Sequence, residues 1–150
     1  MKSVVVVVID ASPKTVATLF ADPTHNTKWM QDVERYEPVS GKPGLQGSVY
    51  RLVRKSKRES MLFTGTIVQR LPNQLHMMLD GSDMTVDVQG TLESLPDGRT
   101  RFTSKEIIAF KGTWRRALGV LTKPAIYKTH RKQIQAFKKF AERKEKERWQ

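Results

Sequence analysis

Residues 4–23 read VVVVVIDASPKTVATLFADP, and this stretch decides the fold. The run Val4–Ile9 consists only of β-branched residues and predicts a strand. After it, Ser12 is suited to cap a helix and Pro13 to occupy the first helical position. Apolar residues then recur at helical spacing as far as Asp22-Pro23, where the helix is predicted to end. A strand therefore leads directly into a short helix.

The length and composition favour one domain spanning residues 1–150, which is long enough to bury a core without crosslinks. The chain has no Cys, which excludes disulfides, thiolate catalysis and cysteine metal sites. The apolar N-terminal run is too short for a signal-peptide core or a membrane span. We therefore expect a soluble, cytoplasmic protein.

The net charge of +12 is concentrated near the C-terminus. From Lys111 onward the chain has 13 Lys and Arg residues against 3 Glu residues. Such a segment is typical of nucleic-acid binders, of proteins that dock on anionic membranes, or simply of the solvated face of a long helix. The charge alone leaves all three interpretations open.

Residues 46–110 alternate short apolar runs with turn signals at 71–73, 80–81 and 95–99. Strands at this spacing predict an antiparallel meander. The alternation is clearest from Met84 to Leu92 and predicts one buried and one wet face. Gly65 and Gly90 fall inside predicted strands, where glycine often marks a bend. We therefore expect a strongly curved sheet.

After residue 112 the apolar period changes to that of a helix. Pro124 interrupts a single continuous helix, because it lacks an N–H and clashes with the preceding turn. We predict a kink there, or a short helix from about residue 113 to 122 and a second one that starts near Pro124. The apolar stripe of the long helix consists of Ile126, His130, Ile134, Phe137 and Ala141.

Four motifs carry a resemblance to a known superfamily: IDASP at residues 9–13, WM at 29–30, GKPGLQGSVY at 41–50 and IQAFKKFAE at 134–142. With them the chain resembles the START-like superfamily, also called SRPBCC, Bet v 1-like or polyketide cyclase/dehydrase and lipid-transport proteins. The resemblance implies an α+β helix-grip fold in the order β-α-α-β-β-β-β-β-β-α. In this fold a curved antiparallel sheet of about six to seven strands wraps around a long C-terminal helix, with an apolar cavity between them.

The cavity implied by the resemblance suggests binding or transport of a small hydrophobic ligand, such as a lipid, a quinone or a polyketide-like compound. Walls for such a ligand need aromatic and flexible apolar side chains with a few polar anchors. The alternative is that these side chains simply fill the core. The candidate ligand-binding residues are Trp29, Tyr50, Phe63, Met77, Val86, Val88, Phe102, Ile108, Trp114, Leu118, His130, Ile134 and Phe137.

Glu106 and His130 are the candidates for catalysis if the protein is an enzyme of the cyclase or dehydratase type. Glu106 shares the parity of Phe102 and Ile108, so without a bulge its carboxylate faces the cavity, where burial would raise its pKa. A bulge would turn it to solvent instead, and both registers remain open. His130 lies on the apolar stripe, where a histidine is an acid/base group, a hydrogen-bond partner of the ligand, or a satisfied core residue.

Other chemistries find no support in the sequence. The three histidines lie in different predicted elements without paired spacing, so no metal site is predicted. No glycine spacing fits a nucleotide cradle, and we expect no cofactor. No Gly-x-Ser-x-Gly motif occurs, and no catalytic nucleophile is predicted.

Residues 114–123 mix Trp and Leu with flanking cations, as suits a cavity lid or a segment lying on an anionic bilayer. A second basic cluster lies at residues 51–58. Nucleic acid is the less favoured partner, because aromatic residues are not interleaved with basic ones as in single-strand binders. The candidate surface-binding residues are Arg115, Arg116, Lys123, Arg131 and Lys132.

The first strand has a further consequence for assembly. If its odd-numbered residues face the core, Val4, Val6 and Val8 form an outward apolar strip that a monomer does not need. We therefore predict either a homodimer through the first strand or a cover over this strand face.

Overall fold

The predicted strands form one curved antiparallel sheet in the computed structural model, which describes residues 1–55, 59–112 and 123–148. The strands are β1 (Lys2–Ile9), β2 (Val33–Ser40), β3 (Val49–Lys55), β4 (Ser60–Arg70), β5 (Gln74–Gly81), β6 (Met84–Ser94) and β7 (Thr100–Phe110). The helices are α1 (Pro13–Ala21), α2 (Asn26–Trp29) and α3 (Lys123–Arg148), with a 3₁₀ turn at Pro23–His25. This order confirms the helix-grip fold.

The sheet runs in the order β1-β7-β6-β5-β4-β3-β2, so β1 and β2 are its edges. Strand β7 pairs with both of its neighbours without a register shift. The pairing with β1 runs from Lys2 opposite Ile107 to Ile9 opposite Thr100, and the pairing with β6 covers the whole of that strand. Register shifts occur instead between β2 and β3 and between β4 and β5. The period-2 alternation of β7 is therefore preserved to its C-terminal end, and this decides which way its polar residues point.

The start of α1 is built as the sequence predicts. The Ser12 hydroxyl accepts a hydrogen bond from the Thr15 backbone N–H at 3.2 Å, and Pro13 occupies the first turn. Glu145 of α3 accepts hydrogen bonds from the Ser12 backbone N–H at 3.1 Å and from the Thr15 hydroxyl at 2.6 Å. These contacts fasten the C-terminal part of α3 to the beginning of α1.

The long helix α3 begins at Lys123, which confirms the predicted helix start near Pro124. Proline is tolerated there because the first N–H groups of a helix have no partner within it. The helix predicted for residues 113–122 lies outside the described residues. The predicted apolar stripe of α3 is buried along its whole length, with each member at most 5% exposed. None of the helices in the described ranges is long and apolar enough to cross a membrane.

An aromatic cluster joins α3 to the sheet and to the short helices. The ring of Phe20 on α1 lies 4.8 Å from that of Phe102 on β7 and 5.0 Å from that of Phe137 on α3, both edge to face. Trp29 at the end of α2 packs edge to face on Phe137 at 5.1 Å. Edge-to-face aromatic pairs contribute about 0.5–1.5 kcal/mol beyond the area they bury. The cluster therefore packs α1, α2 and α3 together and against β7.

The outer face of β1 exposes part of the predicted valine strip. Val4 is 41% and Val6 55% exposed, whereas Val8 is only half-exposed beside them. The strip is narrow, since the outer-face neighbours of these three residues on β7 are Lys105, Thr103 and Arg101. A homodimer through β1 stays a prediction.

Gly65 of β4 makes room for an aromatic ring on the inner face. It lies directly opposite Tyr50 of β3, and a Cβ atom added at Gly65 would be 2.3 Å from Cζ of the Tyr50 ring. Tyr50 is 3% exposed and belongs to the core cluster, so displacing its ring breaks buried packing contacts. Glycine is required here by the close approach of the ring.

We expect Gly65→Ala to lower the free energy of unfolding by about 1–3 kcal/mol, because the methyl group displaces the buried Tyr50 ring. Urea denaturation measures this loss. Thr64→Ala, on the exposed face of the same strand, is the control and should cost much less. Equal stability of wild type and Gly65→Ala would show that the ring moves freely, contrary to the packing described.

Candidate functional site

A cleft opens between the inner face of the sheet and helices α1, α2 and α3. It contains about 520 Å³ of empty space, part of which is open to solvent. Within this space, the volume in which the centre of a water molecule fits is about 40 Å³. Such a space admits a few water molecules, and an organic ligand enters only if wall side chains move aside. Its apolar lining consists of Phe20, Trp29, Met30, Tyr50, Leu52, Met77, Leu79, Val86, Val88 and Ile134, and its polar lining of Asn26, Arg54, Glu106 and Gln133.

The strand residues reach the cleft through simple alternation. Tyr50, Leu52 and Arg54 are successive inward positions of β3, and Val86 and Val88 are successive inward positions of β6. The two arginines of β3 therefore lie on opposite faces of the sheet. Arg51 is exposed, whereas Arg54 is half-buried in the cleft wall. The sequence analysis grouped Arg54 with the basic cluster at residues 51–58, whereas the structure places its side chain in the cleft wall. Its shared parity with Tyr50 and Leu52 was the signal that could have found it.

The Arg54 side chain is held in place by a carboxylate and an aromatic ring. Its Nε and Nη2 atoms both donate to Oδ2 of Asp32, at 2.9 and 2.6 Å. Its guanidinium carbon lies 5.8 Å from the centre of the Phe63 ring, within cation–π range. The Arg54 side chain is 15% exposed and that of Asp32 is 32% exposed. A mostly buried cation thus stands at the cleft with its charge already paired.

Glu106 of β7 turns inward, as the continuous register of that strand requires. It lies between Val88 of β6 and Ser3 of β1 on the inner face, and its side chain is 18% exposed. Burial raises the pKa of the Glu106 carboxyl, the nearby Arg54 charge opposes this shift, and the Asp32 charge adds to it. The carboxyl group therefore holds a proton more strongly than a solvated glutamate does.

His130 lies behind the cleft wall in a fully enclosed position. Its Nδ1 atom is 2.8 Å from the Ser3 hydroxyl and its Nε2 atom 2.9 Å from the Ser104 hydroxyl. Burial lowers the pKa of His130 to about 4, so the imidazole is neutral at neutral pH, with one nitrogen donating and the other accepting. Its Nε2 atom is 3.8 Å from Oε1 of Glu106, too far for a hydrogen bond.

Trp29 carries a buried donor that no described residue satisfies. Its side chain is 7% exposed, lines the cleft and stacks on Phe20 with ring centres 5.9 Å apart. The indole N–H has no hydrogen-bond partner in the described part of the chain. A buried donor without a partner is costly, which makes this N–H a place where a ligand acceptor would be stabilised.

The structure brings together some of the predicted ligand-binding residues and separates others. Trp29, Tyr50, Met77, Val86, Val88 and Ile134 line the cleft. The remaining described candidates support it from behind or beside it: Phe63, Phe102, Phe137 and His130 are buried, and Ile108 is partly buried. Trp114 and Leu118, and the surface candidates Arg115 and Arg116, lie outside the described residues. The sequence interpretation missed Phe20, Asn26, Met30, Leu52, Arg54, Leu79 and Gln133.

Metal binding has no geometric basis in the described ranges. No three His, Asp or Glu side chains there are placed to hold one ion. The polar groups of the cleft are instead an ion pair, a carboxyl group and amides. Such a set can orient and polarise an organic ligand or exchange a proton with it.

The chain was then compared with known proteins. Residues 1–142 match the profile of the family described as polyketide cyclase/dehydrase and lipid transport. The chain belongs to this family. Among curated proteins, no sequence matches it significantly.

Several solved structures share the fold at low sequence identity. A Thermus thermophilus protein is 14% identical with a TM-score of 0.76, and 94% of this chain and 97% of that one are covered. A START superfamily protein from Mycobacterium smegmatis is 16% identical with a TM-score of 0.73, covering 97% of each chain. The ZhuI aromatase/cyclase from Streptomyces sp. R1128 is 16% identical with a TM-score of 0.72, covering 95% and 94%.

The enclosed imidazole predicts a pH-dependent stability. Because His130 is harder to protonate in the fold than in the unfolded chain, the unfolded state binds more protons between about pH 6.5 and pH 4. Stability is therefore lost as the pH falls through this window. From pH 7.5 to pH 5 we expect His130 to account for a loss of about 2 kcal/mol.

Urea denaturation of Glu106→Gln and of Glu106→Gln/His130→Gln at several pH values measures this loss as a difference in the slope of unfolding free energy against pH. Both proteins carry Glu106→Gln because the raised pKa of Glu106 makes an opposite contribution to stability that grows as the pH falls. Parallel stability curves for the two proteins would contradict the neutral, buried state of His130.

Proposed function

We propose that the protein binds or carries a small hydrophobic ligand, such as a lipid, a quinone or a polyketide-like compound, in the cleft between the sheet and α3. The observation that carries this proposal is the cleft lining, in which ten apolar residues surround four polar ones. A few polar groups in an apolar wall are typical of sites that fix the orientation of an otherwise hydrophobic ligand. Membership of the polyketide cyclase/dehydrase and lipid transport family supports the same ligand class.

The narrowness of the cleft is compatible with this function because flexible side chains form part of its wall. Met30 and Met77 both line it, and a methionine side chain has three rotatable bonds and adapts its shape at small cost. Met30, at the end of α2, and Met77, on β5, therefore supply movable apolar groups to the cleft wall. A ligand therefore replaces side-chain contacts instead of filling a rigid, preformed cavity.

A cyclase or dehydratase activity is the alternative function, favoured by the position of Glu106. Its carboxyl group borders the cleft with a raised pKa, which suits a group that gives or takes a proton. His130 is 3.8 Å away and does not line the cleft, so in such an enzyme it would position Glu106 rather than touch the substrate. The structurally similar aromatase/cyclase makes this reaction class a reasonable second candidate.

Filling the cleft should abolish ligand binding. We expect Val88→Phe, which adds a ring at a cleft position that is 8% exposed, to weaken binding of the quinone menadione at least tenfold, roughly 1.4 kcal/mol. Calorimetric titration and quenching of Trp fluorescence measure the affinity. Leu62→Phe, at a β4 position that is 55% exposed, is the matched control.

Native mass spectrometry and organic extraction of the purified protein complete this test. A co-purified apolar compound that disappears in Val88→Phe supports the proposal, and recovery of an added ligand with a changed mass favours the enzyme instead. Wild-type protein that neither retains an apolar compound nor binds added quinones or lipids would refute ligand binding.

We further propose that α3 contacts an anionic membrane surface during ligand exchange. Residues 123–132 of α3 include no acidic residue and four exposed cations: Lys123, Lys128, Arg131 and Lys132. Tyr127, which is 46% exposed, lies among them and is suited to the headgroup region of a bilayer. Several positive charges on one exposed helix surface attract anionic lipid, and this attraction weakens as salt screens the charges.

Removal of two cations should weaken this contact. We expect Arg131→Gln/Lys132→Gln to reduce binding to phosphatidylserine vesicles by about 2 kcal/mol, roughly 30-fold, at about 0.05 M salt. Vesicle flotation measures the binding, and Arg99→Gln/Arg101→Gln at the β6–β7 turn is the charge-matched control. Salt-sensitive retention of RNA with no vesicle binding would instead identify nucleic acid as the partner.

A further inference from the structure

Two side chains at the cleft, Arg54 and Trp29, carry hydrogen-bond donors that the described residues leave unused. A guanidinium has five N–H groups, and Asp32 accepts from the Nε and Nη2 atoms of Arg54 through a single oxygen, Oδ2. The indole N–H of Trp29 has no acceptor among the described residues. Glu106, when protonated, adds an O–H donor. The second oxygen of Asp32 also lacks a described partner, but Asp32 does not line the cleft. Arg54 and Trp29 therefore keep N–H groups that a ligand acceptor can use, beside the neutral amides of Asn26 and Gln133.

The charges at the same place disfavour an anionic ligand. Asp32 already neutralises the Arg54 guanidinium, so no free positive charge remains for a carboxylate. If Glu106 is ionised, the three groups together carry a negative charge, and if it is protonated they are neutral. In either state a ligand carboxylate would bring an uncompensated charge into a mostly buried site, which is costly. A neutral acceptor avoids this cost.

We propose that the part of the cleft lined by Arg54 and Glu106 binds the carbonyl oxygen of a neutral apolar ligand of the ketone, quinone or ester class. The inference rests on the proposed ligand-binding function and narrows its ligand class. The carbonyl oxygen accepts from the N–H groups of Arg54 that Asp32 leaves free. The apolar remainder of the ligand lies against the aromatic and aliphatic wall.

Asp32 acts in this site as a positioning residue. It fixes the guanidinium through two hydrogen bonds and cancels its charge, although it does not itself line the cleft. A neutral substitute at this position leaves Arg54 with an unpaired positive charge. Asp32 therefore sets the preference of the site for neutral over anionic ligands, which is an effect that a purely structural role would not produce.

Three probes on one skeleton test the proposal: 2-acetylnaphthalene with a ketone, 2-ethylnaphthalene with no acceptor, and 2-naphthoate with a carboxylate. We expect wild-type protein to bind the ketone about tenfold or more tightly than the hydrocarbon, because a charged donor strengthens the hydrogen bond. The carboxylate should bind more weakly than the ketone. Isothermal titration calorimetry measures all three affinities at constant salt.

Variants of the ion pair identify the groups responsible. Arg54→Met/Asp32→Asn removes donor and counter-charge together and should reduce the ketone-to-hydrocarbon ratio to about two or less, with hydrocarbon affinity unchanged. Asp32→Asn alone should raise the affinity for 2-naphthoate several-fold and so raise the acid-to-ketone affinity ratio by the same factor. Arg51→Met, at the exposed neighbouring position of β3, is the control and should change none of the ratios.

The outcomes separate this inference from the proposed function. Equal wild-type affinities for ketone and hydrocarbon, or tightest binding of the carboxylate, would overturn the carbonyl site and leave hydrophobic ligand binding standing. Binding of none of the three probes would overturn both. An unchanged acid-to-ketone ratio in Asp32→Asn, in a variant that unfolds as cooperatively as wild type, would refute the role of Asp32.

Discussion

The packing of Phe137 against Phe20, Trp29 and Phe102 is the interaction on which the rest of the structure depends. It joins α3 to α1, to the end of α2 and to β7 in one cluster of rings. Because aromatic rings are large and rigid, the cluster sets a minimum distance between helix and sheet. The cleft borders this cluster, because Phe20 and Trp29 also line it, and the flexible Met30 and Met77 form part of the remaining wall.

Polar groups inside such a structure persist only if they are paired or have a use. His130 is paired, since the hydroxyls of Ser3 and Ser104 lie within hydrogen-bond distance of its two nitrogens. This matches the interpretation of His130 as a satisfied core residue. Arg54 is paired only in part by Asp32, and the N–H of Trp29 has no partner among the described residues. Arg54 and Trp29 thus bring incompletely satisfied donors to the cleft, whereas the satisfied His130 lies behind it.

Sequence periodicity was sufficient to predict the strands, the apolar stripe of α3 and the inward parity of most wall residues. It left Glu106 in two possible registers, because a bulge depends on how a strand pairs with both neighbours and not on its own residues. It also grouped Arg54 with the other cations of the basic cluster at residues 51–58. Net charge along the chain outweighed parity in that interpretation, although Tyr50 and Leu52 mark the same inward face.

The candidate site was harder to predict than the fold because its members come from distant parts of the chain. Asp32 precedes β2, Arg54 lies near the end of β3 and Glu106 belongs to β7, and no local pattern links them. Phe102 and Phe137 have the same sequence signature as Val88 or Ile134, yet only the latter two line the cleft. Periodicity predicts the face on which a side chain lies. It does not predict which of the inward side chains fill the core and which line the cleft.

The sequence by itself determined the order of the elements, the capped strand-to-helix start and the alternation of inner and outer faces, since these follow from local backbone preferences and from periods of 2 and 3.6 residues. Only the tertiary structure decided that the interior keeps a narrow cleft, that Arg54 and Glu106 border it, and that His130 does not. The physical reason is that empty volume and charge pairing are sums over residues far apart in sequence, and they acquire values only when the sheet has closed on α3.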